Sequence, residues 1–545
     1  MISFRSIKRW LLCGVAAACI GGWLNAALAG ESVSAAAGGP PGVTTSVPST
    51  AVIWLLVAAI VVMFMHIGFA MIETGFCRAK NALNTIAMTF MVFPLSCLAF
   101  WVYGFALGWG NFSRGAVAPG WSTALDLPDN VLNHGIGIRP LIDDAGKPTG
   151  GYAYGLAGTK GFFLSGIEPC GAGVPPAAAN GNGRTILLPS PSGRGAGGEG
   201  TVGILAFFFF LMALVDKAAL IPTGALVERW RWKNFCLYAL FVVLPLALAA
   251  NWVWGGGWLA RIGLNWRLGH GVVDFSGAGV IHAMGGTIAL VGAWLIGPRT
   301  GKYRYGRPQP LPGHHVPMVA LGSLIVAFGW FALNAGCALG GTDISMSSVM
   351  VNTALAAFAG TLASMLTLGA RKMKPDPTLI CNGMVAGLVA ISGACPFVDS
   401  WAAVLIGATA GCVVVVSVLL LERRGIDDPV GAISVHGVAG LWGLLAVGIF
   451  ANGRCGAGFN GVVHTRFSDG HGVRGLLYGD PGQLAAQAIG AVVLVLLGLV
   501  LSWIWFQLCN RYVPMRVSRD VELEGLDGPE LGALAYPDFA LSRHA

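Results

Sequence analysis

Asp274-Phe-Ser-Gly-Ala-Gly-Val-Ile-His282-Ala-Met-Gly-Gly286 opens one apolar run of this chain, and Asp428-Pro-Val-Gly-Ala-Ile-Ser-Val-His436-Gly-Val-Ala-Gly440 opens another. Aligned without gaps, they share the aspartate, a Gly-Ala pair, the histidine and the last glycine. Each aspartate stands where a helix would begin and can cap free backbone N–H groups. Pro429 follows Asp428 at the first helical position, where proline is tolerated. Each histidine lies eight residues further on, about 12 Å along a helix axis. If the two runs cross a membrane, both imidazoles sit near its middle, where ionisable side chains are expensive and mark function. A single membrane histidine is commonly an interhelical hydrogen bonder. Two at equivalent positions of a repeat predict one shared site. A metal centre would need a fuller ligand set, and no third histidine, cysteine or carboxylate falls at matching depth.

The composition says that such runs do meet lipid. Of 545 residues, 55% are hydrophobic and 11% charged, and the mean hydropathy is +0.70; a soluble domain carries about 25% charged residues. The 81 glycines suit close helix packing in a bilayer. The net charge of +8 is spread over short loops, with no dense, aromatic-interleaved basic run. No nucleic-acid partner is predicted; the lipid bilayer is the partner.

About eleven apolar spans are predicted, each near the roughly 20 residues a crossing needs. They run Ala51–Ile72, Ile86–Trp109, Val202–Ile221, Phe235–Trp254, Phe275–Ile296, Val316–Cys337, Ser347–Ala370, Leu379–Val398, Trp401–Leu421, Val430–Phe450 and Leu484–Leu508. Basic residues fall in alternate loops: Arg78 and Lys80; Arg229, Arg231 and Lys233; Arg299 to Arg307; Arg371 to Lys374; Arg423 and Arg424. The positive-inside rule puts these loops in the cytoplasm, the N-terminus outside and the C-terminus inside. Span five then runs inward and span ten outward. Spans one to five and six to ten become halves of opposite orientation, an inverted repeat whose substrate path lies between the halves near the midplane. The predicted fold class is an all-α polytopic membrane protein of eleven transmembrane helices with a five-plus-five inverted repeat.

Residues 1–29 read as a signal peptide: Arg5, Lys8 and Arg9 precede the apolar stretch Leu11 to Leu24, and Ala27-Leu28-Ala29 precedes a cut before Gly30. An extra transmembrane helix is the alternative. A cleaved leader puts the mature N-terminus in the periplasm and the chain in a bacterial inner membrane. Residues 30–509 form the membrane domain and 510–545 a cytoplasmic tail. Within the domain, 110–200 is a long Gly-rich external loop carrying a low-complexity insertion at Leu187 to Gly200. Twelve cysteines show no metal spacing. Cys170 and Cys455 both fall in external loops and could pair.

The two histidine segments resemble the twin-histidine helices of the Amt/Mep/Rh ammonium transporter family. Gly75-Phe-Cys-Arg-Ala-Lys-Asn81 is similar to that family's first cytoplasmic turn, Gly224-Ala-Leu-Val-Glu-Arg229 to the end of its third helix, and Val253-Trp-Gly-Gly-Gly257 to the outer end of its fourth. Gly329-Trp-Phe-Ala-Leu-Asn-Ala-Gly336 resembles its sixth helix, and Glu522-Leu-Glu-Gly-Leu-Asp527 with Ala535-Tyr-Pro537 its regulatory tail. The resemblance implies a homotrimer with one pore per subunit. It implies that Trp254, Asp274 and Cys337 belong to an external ammonium-recruiting site, that Trp330 and Leu333 form an outer gate, and that His282 and His436 line the pore. Asp428 and Asn334 take structural roles. A PII-type signal protein is the implied partner of the tail. No cofactor, metal or enzymatic activity is implied.

The chain departs from the family's pattern at the gate. Leu333 stands where a phenylalanine is usual, with Met212 or Ala213 near the position of a second, and Cys337 replaces a serine. Asp216-Lys217 is an addition, read as an ion pair near the cytoplasmic end of span three; that span also holds one extra residue around Pro222-Thr223. Leu531 replaces a histidine of the tail. An ammonium sensor on the same fold and a channel for neutral ammonia or carbon dioxide, closer to Rh proteins, are the alternatives to transport.

Overall fold

The computed structural model describes residues 49–110, 135–142, 148–164, 198–339, 345–467 and 471–539. The leader, Cys170, the tail beyond residue 539 and most of the low-complexity stretch lie outside the described residues. Among the described residues, ten helices are long and apolar enough to cross a membrane, and an eleventh apolar helix is shorter. They are α1 (Ser49–Phe76), α2 (Ala79–Trp109), α3 (Gly198–Leu226), α4 and α5 (Trp232–Phe241 and Val243–Val253, one bent span), and α7 (Ala278–Ile296). The second half holds α8 (Val316–Gly336), α9 (Met346–Ala370), α10 (Pro377–Ser392), α11 (Ser400–Arg423) and α12 (Ile433–Phe450), and α13 (Pro481–Tyr512) follows. This is the predicted eleven-helix, five-plus-five inverted repeat. Asp-Pro pairs start two of the helices: Asp376 accepts from the Thr378 N–H at 2.9 Å and Asp480 from the Gly482 N–H at 2.9 Å, with proline at the first helical position.

The repeat is visible in how counterparts meet. α1 lies along α8, and they cross where each has a glycine: a Cβ on Gly68 would strike the Gly322 carbonyl and the reverse holds too. Of the ends that differ from expectation, two bear on the site. α10 stops at Ser392 rather than Val398 because the chain turns into the centre there; the Gly393 carbonyl accepts from Phe275 N–H at 3.2 Å, and Asn352 Nδ2 donates to the carbonyls of Cys395 and Val398 at 2.9 Å each. α3 continues past Pro222 to Leu226.

One face of the molecule carries a hairpin of β1 (Gly135–Ile142) and β2 (Pro148–Gly158) and the short helix α6 (Trp258–Trp266), none of them read from the sequence. Trp252 Nε1 and Asn265 Nδ2 tie β2 down through the carbonyls of Leu156 and Ala153, both at 2.8 Å. The opposite, basic face is closed by ions. Arg299 bridges Glu228 (2.8 Å) and Asp427 (2.8 Å), Arg78 pairs Glu228, and Arg229 donates to the Asp427 carbonyl at 2.7 Å. A second two-stranded sheet, β3 (Tyr303–Arg304) with β4 (Arg307–Pro308), lies in the loop after Arg299. The tail folds back over this face through α14 (Arg519–Glu524).

Candidate functional site

α7 begins at the hairpin face and ends beside Arg299; α12 begins beside Asp427 on the basic face. Each enters through an aspartate-capped turn. Asp274 accepts from the N–H groups of Gly277 (3.1 Å), Gly279 (2.8 Å) and Val280 (2.9 Å). Asp428 accepts from those of Gly431 (3.0 Å), Ala432 (3.1 Å) and Ile433 (2.7 Å). The glycine shared by the two segments has φ +94° at Gly277 and +84° at Gly431, a region a side chain enters only under strain. Each histidine then rides on a π-helical turn, Ala278–Ala283 and Ile433–Val438. Such a turn inserts a residue and re-aims what it carries.

The last shared glycine lets the two helices touch. A Cβ on Gly286 would sit inside the backbone of Gly437, and one on Gly440 would meet the Ala278 carbonyl at 2.5 Å. The imidazoles consequently meet, with His282 Nδ1 and His436 Nδ1 3.1 Å apart and ring centroids 5.2 Å apart at 23°. One Nδ1 must donate and the other accept. Trp330 continues the column, stacked on His282 at 5.0 Å and 20°, and its Nε1 donates to Ser392 Oγ at 2.9 Å. His282 Nε2 is buried with no protein partner among the described residues, and so remains open to a hydrogen-bonding guest.

Towards the hairpin face lie the other residues singled out in the sequence. Trp254 Nε1 donates to the Asp274 backbone carbonyl at 2.6 Å; the Asp274 carboxylate itself is taken up by capping, so it supports the tryptophan through its main chain. Cys337 lies within interaction range of the Ser276 hydroxyl and of Asp274; that hydroxyl makes no hydrogen bond of standard geometry. Leu333 is fully buried, one helical turn outward of Trp330. The Phe210 ring comes 2.5 Å from where a Cβ on Gly336 would be. Asn334 Nδ2 donates to Thr353 Oγ1 at 2.9 Å, holding α8 to α9. Trp254, Asp274 and Cys337 thus gather on the hairpin side of the His282–His436–Trp330 column.

Two buried groups, Phe69 and Glu73, and the half-buried His66 escaped the sequence reading. Phe69 flanks His436 at 6.2 Å. Glu73 accepts from Thr223 Oγ1 (2.6 Å) and Thr89 Oγ1 (3.0 Å). His66 contacts Asp216 Oδ2 at 3.0 Å and the Thr89 carbonyl at 2.6 Å. Asp216 and Lys217 do form an ion pair, at 2.5 Å, but Asp216 is ten residues from the end of α3 at Leu226, about 15 Å along the axis. The pair therefore sits at mid-span and not near the end, because α3 runs one turn longer than the apolar run indicated.

These features define a class: a multi-pass helical membrane protein whose two inverted halves meet at a buried histidine pair. The sequence profile of the Ammonium Transporter Family matches residues 53–137 and 193–536, and the chain belongs to that family. Ammonium transporter Amt2 of Archaeoglobus fulgidus is 35% identical over 491 residues, covering 89% of this chain and 88% of that protein. An ammonium transporter of Aquifex aeolicus is 30% identical over 486 residues, covering 89% and 92%. Among solved structures, a sensor Amt protein matches with a TM-score of 0.67 and 26% identity over 89% of this chain and 98% of that one. Candida albicans Mep2, with a TM-score of 0.64 and 20% identity over 88% of each chain, shares the fold.

Proposed function

We propose that this chain carries ammonium across a bacterial inner membrane, recruiting the ion on the hairpin face and conducting ammonia and a proton past His282 and His436. The observation that carries this is the Nδ1 to Nδ1 contact of 3.1 Å at the centre of the path. A bare cation in so apolar a centre would cost on the order of tens of kcal/mol. Trp254, anchored by Asp274, offers an indole face to the arriving ion, with Cys337 beside it. Beyond Leu333 and Trp330 the solute travels as neutral ammonia, which both donates and accepts at imidazole nitrogens. The proton has its own route: uptake at His282 Nε2, transfer from His282 Nδ1 to His436 Nδ1, and release from His436 Nε2. Uptake makes His282 an imidazolium, the transfer moves that charge to His436, and the release leaves both rings neutral, each in its other tautomer.

The leader 1–29, a periplasmic mature N-terminus, a homotrimer, and a cytoplasmic tail at 510–545 read by a PII-type protein complete this reading. The sensor alternative is not favoured. The test is ammonium-triggered current from protein in liposomes on a supported membrane. Wild type should give a current that His282→Ala/His436→Ala abolishes. Ammonium binding with no wild-type current would refute transport; saturable ammonia influx without current would make the protein a neutral-gas channel.

A further inference from the structure

His436 and Glu73 line one cavity between the histidine pair and the basic face, shared with Phe69, Gly224, Asn382 and Val430. Its volume open to water-sized molecules is about 30 Å³, room for one or two waters. Glu73 is 3% exposed. Its oxygens accept from Thr223 and Thr89, and no lysine, arginine or histidine pairs with it among the described residues. The charged groups nearest the basic face, Arg78, Arg299, Glu228 and Asp427, are consumed by one another. The buried Asp216 and Lys217 are likewise paired, with His66. The elements around Glu73 present hydroxyls from α2 and α3, an imidazole from α12 and an amide from α10; none supplies a fixed positive charge. A carboxyl so enclosed is neutral only when it holds a proton or a cation.

We propose that Glu73 is the inner proton-exchange group of this conduit: it takes the proton leaving His436 and returns it to ammonia at the exit. The step balances: the Glu73 carboxylic acid gives its O–H proton to the ammonia lone pair, forming ammonium and carboxylate. The carboxylate is then reprotonated by the imidazolium of His436, directly or through cavity water, leaving a neutral ring. The outward-facing tryptophan site strips one proton from each ion, and Glu73 restores one. This rests on the transport reading above.

The test is Glu73→Gln, which keeps the shape and an acceptor for Thr223, beside Glu73→Asp, which keeps the acid. Current on a supported membrane and ammonia influx, read from a lumenal pH dye, are measured on the same liposomes. In Glu73→Gln the current should fall at least tenfold and far more steeply than ammonia influx; Glu73→Asp should regain part of it. Unchanged current in Glu73→Gln overturns the proposal. So does an equal fall in current and influx, which would make Glu73 a wall of the pore. A wild type without current would instead refute the transport reading, and this inference with it.

Discussion

Asp216 and Lys217 show how much a single side chain can demand of a membrane interior. Asp216 Oδ2 takes Lys217 Nζ and His66 Nδ1, while its Oδ1 is buried without a partner among the described residues. His66 Nε2 faces the Thr89 carbonyl, which only accepts, so that nitrogen carries a hydrogen. His66 Nδ1 then lies between an acceptor, Asp216, and a donor, Lys217 Nζ at 3.3 Å. Removing one member of a buried pair strands the other charge and costs about 3–5 kcal/mol, whereas replacing both by apolar groups is often neutral. Asp216→Asn is therefore expected to lower the thermal unfolding temperature in detergent sharply, and Asp216→Leu/Lys217→Met to restore most of it. A double variant as unstable as the single one would show that the cluster is needed as a unit. The pairing of Asp216 with Lys217 was legible in the chain; its depth and its tie to His66 were not. His66 and Glu73 are lone polar residues in an apolar run, and each finds its partner 150 residues away; only the fold joins them. His282 and His436 were legible because the repeat printed the same spacing twice.

At the scale of the element, the shared letters of the repeat each have a cause. The aspartate caps, the next glycine takes a positive φ, the histidine follows, and the last glycine admits the facing backbone. The π turns under both histidines left no mark in the sequence, since a π turn changes hydrogen-bond register without requiring any residue type. The basic-face ion cluster was legible only as separate family-like motifs; the structure unites Arg78, Asn81, Glu228 and Arg229 from those motifs with Arg299 and Asp427. Asn81 Nδ2 adds a bond to Glu228 at 3.2 Å. Burial alone would raise the Asp427 carboxyl, but Arg229 and Arg299 outweigh it and hold it well below the usual carboxylate range. A depressed folded value means stability that is complete above the unfolded value of about 3.9 and lost as pH falls below it. Asp427→Asn should thus be several kcal/mol less stable than wild type at pH 7, by about the cost of a broken buried pair. The gap in thermal unfolding temperature should persist to about pH 4 and close only in stronger acid. A gap closing near neutrality would mean that the arginines do not hold the carboxylate.

At the scale of the molecule, the inverted repeat accounts for the spans, and the tail for how they are held. The apolar runs were legible because crossing length and composition leave little freedom; the hairpin at Gly135–Gly158 and α6 were not, since short Gly-rich strands carry little pattern. The tail ties together turns from distant parts of the first half. Asp527 caps α2 through the N–H groups of Leu83 (3.1 Å) and Asn84 (2.8 Å), Leu526 N–H donates to Asn81 Oδ1 at 2.9 Å, and Lys80 Nζ reaches the carbonyls of Glu522 and Leu523. Glu522 accepts from Thr300 N–H at 2.5 Å and pairs Arg516 at 2.7 Å. Tyr536 meets His314 at 2.9 Å. Asp527→Asn weakens both capping bonds at once, so the tail should leave the face while the membrane helices stay packed. Trypsin, cutting at Arg516 and Arg519, should then release the tail of the variant at least tenfold faster than that of wild type. The side of the membrane on which this happens reads the topology. The alternation of basic loops predicts a cytoplasmic tail, so inside-out vesicles should be cut and right-side-out vesicles protected. Cleavage from the outer side would invert every span, and with them the assignment of Trp254 to the entrance and of the Glu73 cavity to the exit.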